Sequence, residues 1–314
     1  MDKIPVIAVV GPTASGKTEL AVNLAEKLGG EIISFDSMQI YKGMHIASAA
    51  PDKDEMRLIP HHLVEILNPD TTFSVADFVK EAKKCAEDIV SRGKTVIIAG
   101  GTGLYVNSFL DNIAFSEESV DYELREKLNA EYESLGGEEM LKRLSHFDAE
   151  SAKRLHPNNK KRIIRAFEIY INSGVTMTEQ IENSTKTASP YLPYMIGLSF
   201  KDREKLYERI NKRVDKMLDK GLLAEAENMF TQSHFGTSVQ AIGHKEFFPY
   251  FKGEAELNNA IETLKAETRR YAKRQLTWFR RDERINWIYR DISENITDDA
   301  IKILERNGYF GKTE

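Results

Sequence analysis

Gly11-Pro-Thr-Ala-Ser-Gly16-Lys17-Thr18 places two glycines, a lysine and a hydroxyl at the spacing of a phosphate-binding loop. Glycines let consecutive backbone N–H groups turn onto phosphate oxygens, and the start of the following helix adds the positive end of its dipole. Lys17 would neutralise terminal phosphates. Thr18 would offer a hydroxyl to Mg2+, a hard cation that keeps most of its water and needs few protein ligands. The pattern selects linked phosphates, not a nucleoside. ATP is the default occupant, yet "TVIIAGGTG" ends in glycines where a Walker B strand would carry an acid. No stretch reads clearly as a base selector.

Two further groups could serve such a site. Asp36, in "ISFDSMQIY", follows an apolar run and would lie at the carboxyl edge of a sheet, where ligands of open α/β folds bind. There it could coordinate an ion or accept a proton from a nucleophile; alternatively, Asp36 and Ser37 cap the next turn. In "DREKLYERINKRVDKMLDKG" (202–221), Leu206, Ile210, Val214, Met217 and Leu218 form a buried helical stripe beside Lys205, Arg209, Lys212, Arg213 and Lys216. Arg209 and Arg213, four residues apart, could reach one anion and suit charge developing on a leaving phosphate. A solvated basic face is the alternative.

These groups need a scaffold, and the pattern around them is that of a parallel sheet. "VIAVV" (6–10), "EIISF" (31–35) and "TVIIA" (95–99) read as buried strands. "KTELAVNLAEKLGG" and the stretch from Ser74 to Gly93 read as helices between them. Residues 116–190 are largely polar helix, and strand character returns only at "YMIGLSF" (194–200) and "INWIY" (285–289). The expectation is an α/β fold, a P-loop parallel sheet wrapped by helices, with its core in 1–114 and 195–314. Residues 115–194 form a helical insertion domain.

The whole chain constrains the class. Its 314 residues carry 44 Lys and Arg against 49 Asp and Glu, a net charge of −5. One cysteine, Cys85, can neither form an internal disulfide nor anchor a zinc cluster alone. No stretch approaches a membrane span, so a cytoplasmic protein is expected. The charge is unevenly spread. Lys153 to Arg165 holds six Lys/Arg and no acid, and Arg269 to Arg284 holds seven against two acids. The second patch is interleaved with Tyr271, Trp278 and Phe279, a mix suited to RNA phosphates and bases. It would equally suit a helix whose aromatics are core and whose arginines coat it.

"GPTASGKT", "DSMQIYKGM", "PHHLVEI", "GGTGLY", "HPNNKKRIIRAFEIY", "QAIGHKE" and "RRYAKRQLTWFRR" occur in the order found in tRNA dimethylallyltransferases, and the chain resembles that family over nearly its whole length. The resemblance implies a nucleotide-kinase-like P-loop fold and transfer of a dimethylallyl group from dimethylallyl diphosphate to the exocyclic amine of adenosine 37 in tRNA, with release of pyrophosphate. The loop would then hold the donor's diphosphate. It implies that Asp36 binds the amine and acts as general base, and that Ser37, Met38 and Gln39 contact tRNA. Gly11, Thr13, Ala14, Ser15, Gly16, Lys17 and Thr18 would hold diphosphate, with Thr18 near Mg2+. Thr102 would lie near the reacting centre, and Arg209 on the diphosphate, joined by Arg203 and Arg213. Lys160, Lys161, Arg162, Ile163 and Ile164 would face tRNA. So would Gly243, His244 and Lys245, and Lys273, Arg274, Gln275, Trp278 and Arg280.

One departure stands out, His244 where many relatives are expected to have tyrosine. A bacterial-type enzyme is expected, because no Cys/His zinc extension follows, and a monomer, because no exposed apolar stripe demands a partner. The competing readings are a P-loop kinase of a small metabolite or nucleotide and a non-catalytic RNA-binding protein.

Overall fold

The computed structural model describes residues 3–115, 121–184, 186–232 and 238–311. The chain divides into two compact units, 1–110 with 189–314, and 111–188. In the first, six parallel strands form one sheet in the order β3-β2-β4-β1-β5-β6: β1 Ile4–Val10, β2 Gly30–Ser34, β3 His61–His62, β4 Thr95–Gly100, β5 Tyr191–Ser199 and β6 Ile285–Tyr289. β1 is central and wholly buried from Val6 to Val10, as a strand covered on both faces must be. Helices Lys17–Leu28 and Ile296–Arg306 pack on one face through Leu20, Leu24, Ala300 and Leu304. Helix Val75–Ser91 is opened by a reciprocal Ser74–Asp77 capping box. Among the described residues no helix is long and apolar enough to cross a membrane.

Parallel strands deliver their carboxyl ends to one edge, so three loops meet there. The phosphate loop follows β1, Asp36 follows β2, and Gly101-Thr-Gly103 follows β4. At that edge β2 and β4 are unusually close: a Cβ on Gly100 would lie 2.1 Å from the Phe35 carbonyl oxygen. Gly100→Ala is therefore expected to destabilise the protein by about 1–3 kcal/mol. A thermal melt would show it, and an unchanged melting temperature would contradict it.

The second unit holds helices Tyr122–Ser145, Ala149–Arg154, Lys160–Ser173 and Met177–Ser184. Its core gathers Leu128, Met140, Leu144, Ile163, Ile164 and Phe167. The long helix breaks at Gly136 (φ 77°), and Gly137 sits where a Cβ would meet the Pro157 carbonyl at 2.1 Å. Buried Glu168 is held by Arg125 at 2.5 Å.

The sequence boundary at 194 needs correction. The helical unit ends at 188, and residues 191–194 are the first part of β5, paired with β1 from Ile4↔Tyr191 through Ile7↔Tyr194.

Candidate active site

A cavity of about 340 Å³ opens in the first unit and is lined by Thr13, Lys17, Thr18, Asp36, Arg213 and Arg274, among others. The phosphate loop reaches it in a strained form. Gly11 (φ 144°) lies so near β5 that a Cβ would fall 2.3 Å from the Leu198 carbonyl. Ala14 occupies the left-handed region (φ 62°), and its carbonyl accepts the Arg209 Nε–H at 3.1 Å. Ser15 is buried with its hydroxyl unpartnered among the described residues. Gly16, also left-handed at φ 90°, opens the helix whose first residues are Lys17 and Thr18.

Lys17 folds back to donate to the Pro12 carbonyl at 2.8 Å. Burial and then the Arg213 guanidinium push its ammonium down to about 7, with Asp36 pulling the other way. Burial likewise draws Arg213 below its usual value. The cradle thus crowds two cations that an anion would relieve. Because Lys17 titrates near neutrality in the free protein, diphosphate affinity should fall as pH rises above about 7. At pH 8, pyrophosphate binding should take up nearly one proton more in the native protein than in Lys17→Met. Calorimetry in buffers of different ionisation enthalpy measures this, and equal uptake by the two proteins would refute it.

The Asp36 loop is tied down locally. Asp36 Oδ1 accepts the Met38 N–H at 2.9 Å, and Thr102 Oγ1 accepts the Ser37 N–H at 3.2 Å. Gln39 accepts from Ser34 Oγ at 2.7 Å and donates to the carbonyls of Ser48 (3.3 Å) and Ala49 (3.0 Å). Ser37, Met38 and Gln39 line the cavity; Thr102 stands behind the loop and steadies it.

Helix Leu257–Phe279 supplies a further wall, through Leu264, Thr268, Tyr271, Arg274 and Gln275. Gln275 is buried, its Oε1 accepting the Thr13 N–H at 2.8 Å and its Nε2 donating to the Gly101 carbonyl at 3.0 Å. It is a strut between two glycine-rich loops and also lines the cavity. Gly101 and Gly103 leave room for that helix: a Cβ on either would strike Gln275 or Trp278 at about the same short range, 2.0 and 2.1 Å. Trp278 is half-buried against Gly103 for this reason. Tyr271, one turn before Gln275 on the same face and part of the aromatic patch expected to suit RNA, lines the cavity. Burial, and next the Asp36 charge, hold its hydroxyl well above the usual phenol range, against hydrogen bonds with Thr102 and Gln275.

Other expectations divide by exposure. Arg209 and Arg213 come to the site, but Arg203 lies exposed, stacked over Tyr207 at 5.7 Å and 3.9 Å from Glu204. Lys245 and Arg274 line the cavity, while Lys273 and Arg280 are exposed outside it. His244 is fully buried and Gly243 buried, so neither presents a surface. In the helical unit, Lys161 and Arg162 are exposed. Lys160 pairs with Glu133 at 2.6 Å, and Ile163 and Ile164 are core, not contacts.

Residues 39–282 match the family described as IPPT, IPP transferase. The chain belongs to the IPP transferase family. Within it, a tRNA dimethylallyltransferase of Acetivibrio thermocellus is 46% identical over 288 residues, covering 91% of this chain and 92% of that one. Another from Staphylococcus haemolyticus is 46% identical over 291 residues, covering 91% and 86%. Among solved structures, the tRNA isopentenylpyrophosphate transferase of Bacillus halodurans is similar at TM-score 0.71 and 42% identity, over 98% of this chain and 96% of that one. A eukaryotic dimethylallyltransferase acting on tRNA is similar at TM-score 0.82 and 28% identity, over 98% and 79%. The fold is accordingly the P-loop α/β fold of these transferases, with its parallel sheet surrounded by helices.

Proposed function

We propose that the chain transfers a dimethylallyl group from dimethylallyl diphosphate to the exocyclic amine of adenosine 37 in the anticodon loop of tRNA. Prenyl transfer to tRNA is the activity of the IPP transferase relatives, and a kinase is not favoured. The observation that carries the finer reading is the cavity itself. It joins Lys17, Thr18 and Arg213 to Asp36, and much of the remaining lining is apolar: Ile32, Ala47, Pro51, Val214, Met217 and Leu264. Such a lining suits a short hydrocarbon attached to a diphosphate better than a nucleoside.

In the reaction, the amine nitrogen forms a bond to the allylic carbon as that carbon's bond to the diphosphate oxygen breaks. The electron pair leaves with the diphosphate, and the amine proton passes to Asp36. Lys17, Arg209 and Arg213 stabilise charge where it develops, and the apolar lining keeps water from the carbocation-like centre. Asp36 first orients the amine, whose proton becomes acidic only as the C–N bond forms. The adenosine must leave its stack to reach the cavity.

Mg2+ fits the donor set. Thr18 offers a hydroxyl, and the described residues contain no cluster of three or more His, Cys, Asp or Glu. A divalent ion held here would keep water and phosphate oxygens for most of its shell, as Mg2+ does. It would add positive charge to the leaving diphosphate. Exposed Lys161, Arg162, Lys273 and Arg280 are the basic groups we assign to tRNA backbone, in a cytoplasmic, monomeric protein.

The test supplies labelled dimethylallyl diphosphate or ATP, with and without unmodified tRNA. Label is expected to move from the prenyl donor into tRNA. ATP turnover without prenyl transfer would instead establish the kinase.

A further inference from the structure

Part of the cavity wall comes from three segments far apart in sequence, around 36–39, 47–49 and 241–245. One carboxylate joins them. Glu225, in helix Leu222–Thr231, accepts the backbone N–H of Ile46 at 2.8 Å through Oε2 and that of Ala47 at 2.9 Å through Oε1. The short helix His45–Ser48 has no side-chain cap of its own, so Glu225 satisfies its orphan donors from another element.

His244 completes the junction. Its ring is fully buried, and Nε2 lies 2.8 Å from Glu225 Oε1. An ionised carboxylate only accepts, so Nε2 carries the proton and donates. Nδ1 has no partner among the described residues, leaving Glu225 as the ring's polar tie. Burial would raise the Glu225 carboxyl, but the bonds from His244, Ile46 and Ala47 hold it below the usual range. Gly243, at φ 118°, packs so tightly that a Cβ would meet the Ala47 Cβ at 2.8 Å. At the far end of the short helix, Gln39 holds the Ser48 and Ala49 carbonyls and returns to Ser34. A continuous set of hydrogen bonds thus runs from His244 to the loop that carries Asp36.

We propose that Glu225 and His244 are a positioning pair: without touching substrate, they set the wall that presents the Asp36–Gln39 loop to the acceptor. The kinetic consequence rests on the transfer reaction proposed above. The phosphate loop is tied elsewhere, through Gln275 and Arg209, so diphosphate binding is independent of the pair.

His244→Asn and His244→Gln separate the possibilities, because a glutamine amide nitrogen reaches the Nε2 position and an asparagine's does not. With His244→Asn, kcat/KM for tRNA is expected to fall about tenfold to a hundredfold through misplacement of the loop. Affinity for Mg2+-pyrophosphate should stay native, and His244→Gln should recover most of the loss. Hydrogen exchange at the Ile46 and Ala47 amides should speed up in the asparagine variant and slow again in the glutamine one. If His244→Asn does not fold, Glu225→Gln takes its place with the same expectations.

Native kcat/KM in the asparagine variant, equal losses in both variants, or a parallel loss of pyrophosphate affinity would each overturn the pair's role. Unchanged amide exchange would do so even if the native protein moved no prenyl label. That last finding would instead defeat the reaction itself.

Discussion

Asp36→Asn is expected to lower prenyl transfer about 10²- to 10⁴-fold, the usual worth of a positioned acid–base group. Asparagine is the informative choice because its Oδ1 can still accept the Met38 N–H, now 2.9 Å away in the native loop. The loop then keeps its turn, and what is lost is the charge and the proton acceptor. Donor and tRNA affinities should remain near native, so the loss should appear in kcat. Asp36→Ala removes the loop contact as well and should be no more active. Near-native turnover by either variant would show that Asp36 neither takes the proton nor orients the amine.

The second large effect belongs to Lys17. Lys17→Met should reduce kcat about 10²- to 10³-fold, as removal of one donor to a developing anion commonly does. Arg213 cannot fully substitute. Its planar fork is fixed by a different helix, and an arginine does not reproduce a compact ammonium at the base of a phosphate loop. The folded protein should not suffer, because loss of Lys17 removes a repulsion with Arg213. A rise in donor KM with kcat intact would mean that the lysine binds ground state and transition state alike.

How much of this was legible in the sequence depends on whether chemistry and location coincide in adjacent residues. The phosphate loop was readable because its function lies in its own backbone and one side chain. The central strands were readable because burial on both faces makes them unbroken apolar runs. β3 was not, since two histidines carry no periodicity; they pair with β2 through Ile32↔His61 and Ile33↔His62. The early part of β5 was obscured by Pro193, which argues against a strand, and by Leu192, which is exposed. In the structure Pro193 nevertheless stands opposite Val6.

Within the site, a motif marks a neighbourhood without saying which residues face inward. "QAIGHKE" reaches the cavity through Ala241, Ile242 and Lys245, and "RRYAKRQLTWFRR" through Tyr271, Arg274 and Gln275. His244, from the first run, is spent on an internal contact, and the Gln275 amide braces two loops while its side chain lines the cavity. The helix 160–173 shows the same division between exposed Lys161 and core Ile163. Helical phase separates such neighbours, but a polar residue whose partner lies far away in sequence looks like a surface residue until the fold is known.

The Gln275 amide also bears on how the protein comes into being. It closes on Thr13, 262 residues earlier in the chain. A ribosome therefore releases the loop long before the residue that braces it, and β5 waits for β6 in the same interval. Long-range closure of this kind is slow and leaves unpaired strand edges exposed meanwhile. The emerging chain carries a loop with a phosphate-binding sequence but no finished cradle, and pyrophosphate should protect the completed protein from proteolysis while leaving a nascent chain stalled before residue 270 as vulnerable as before.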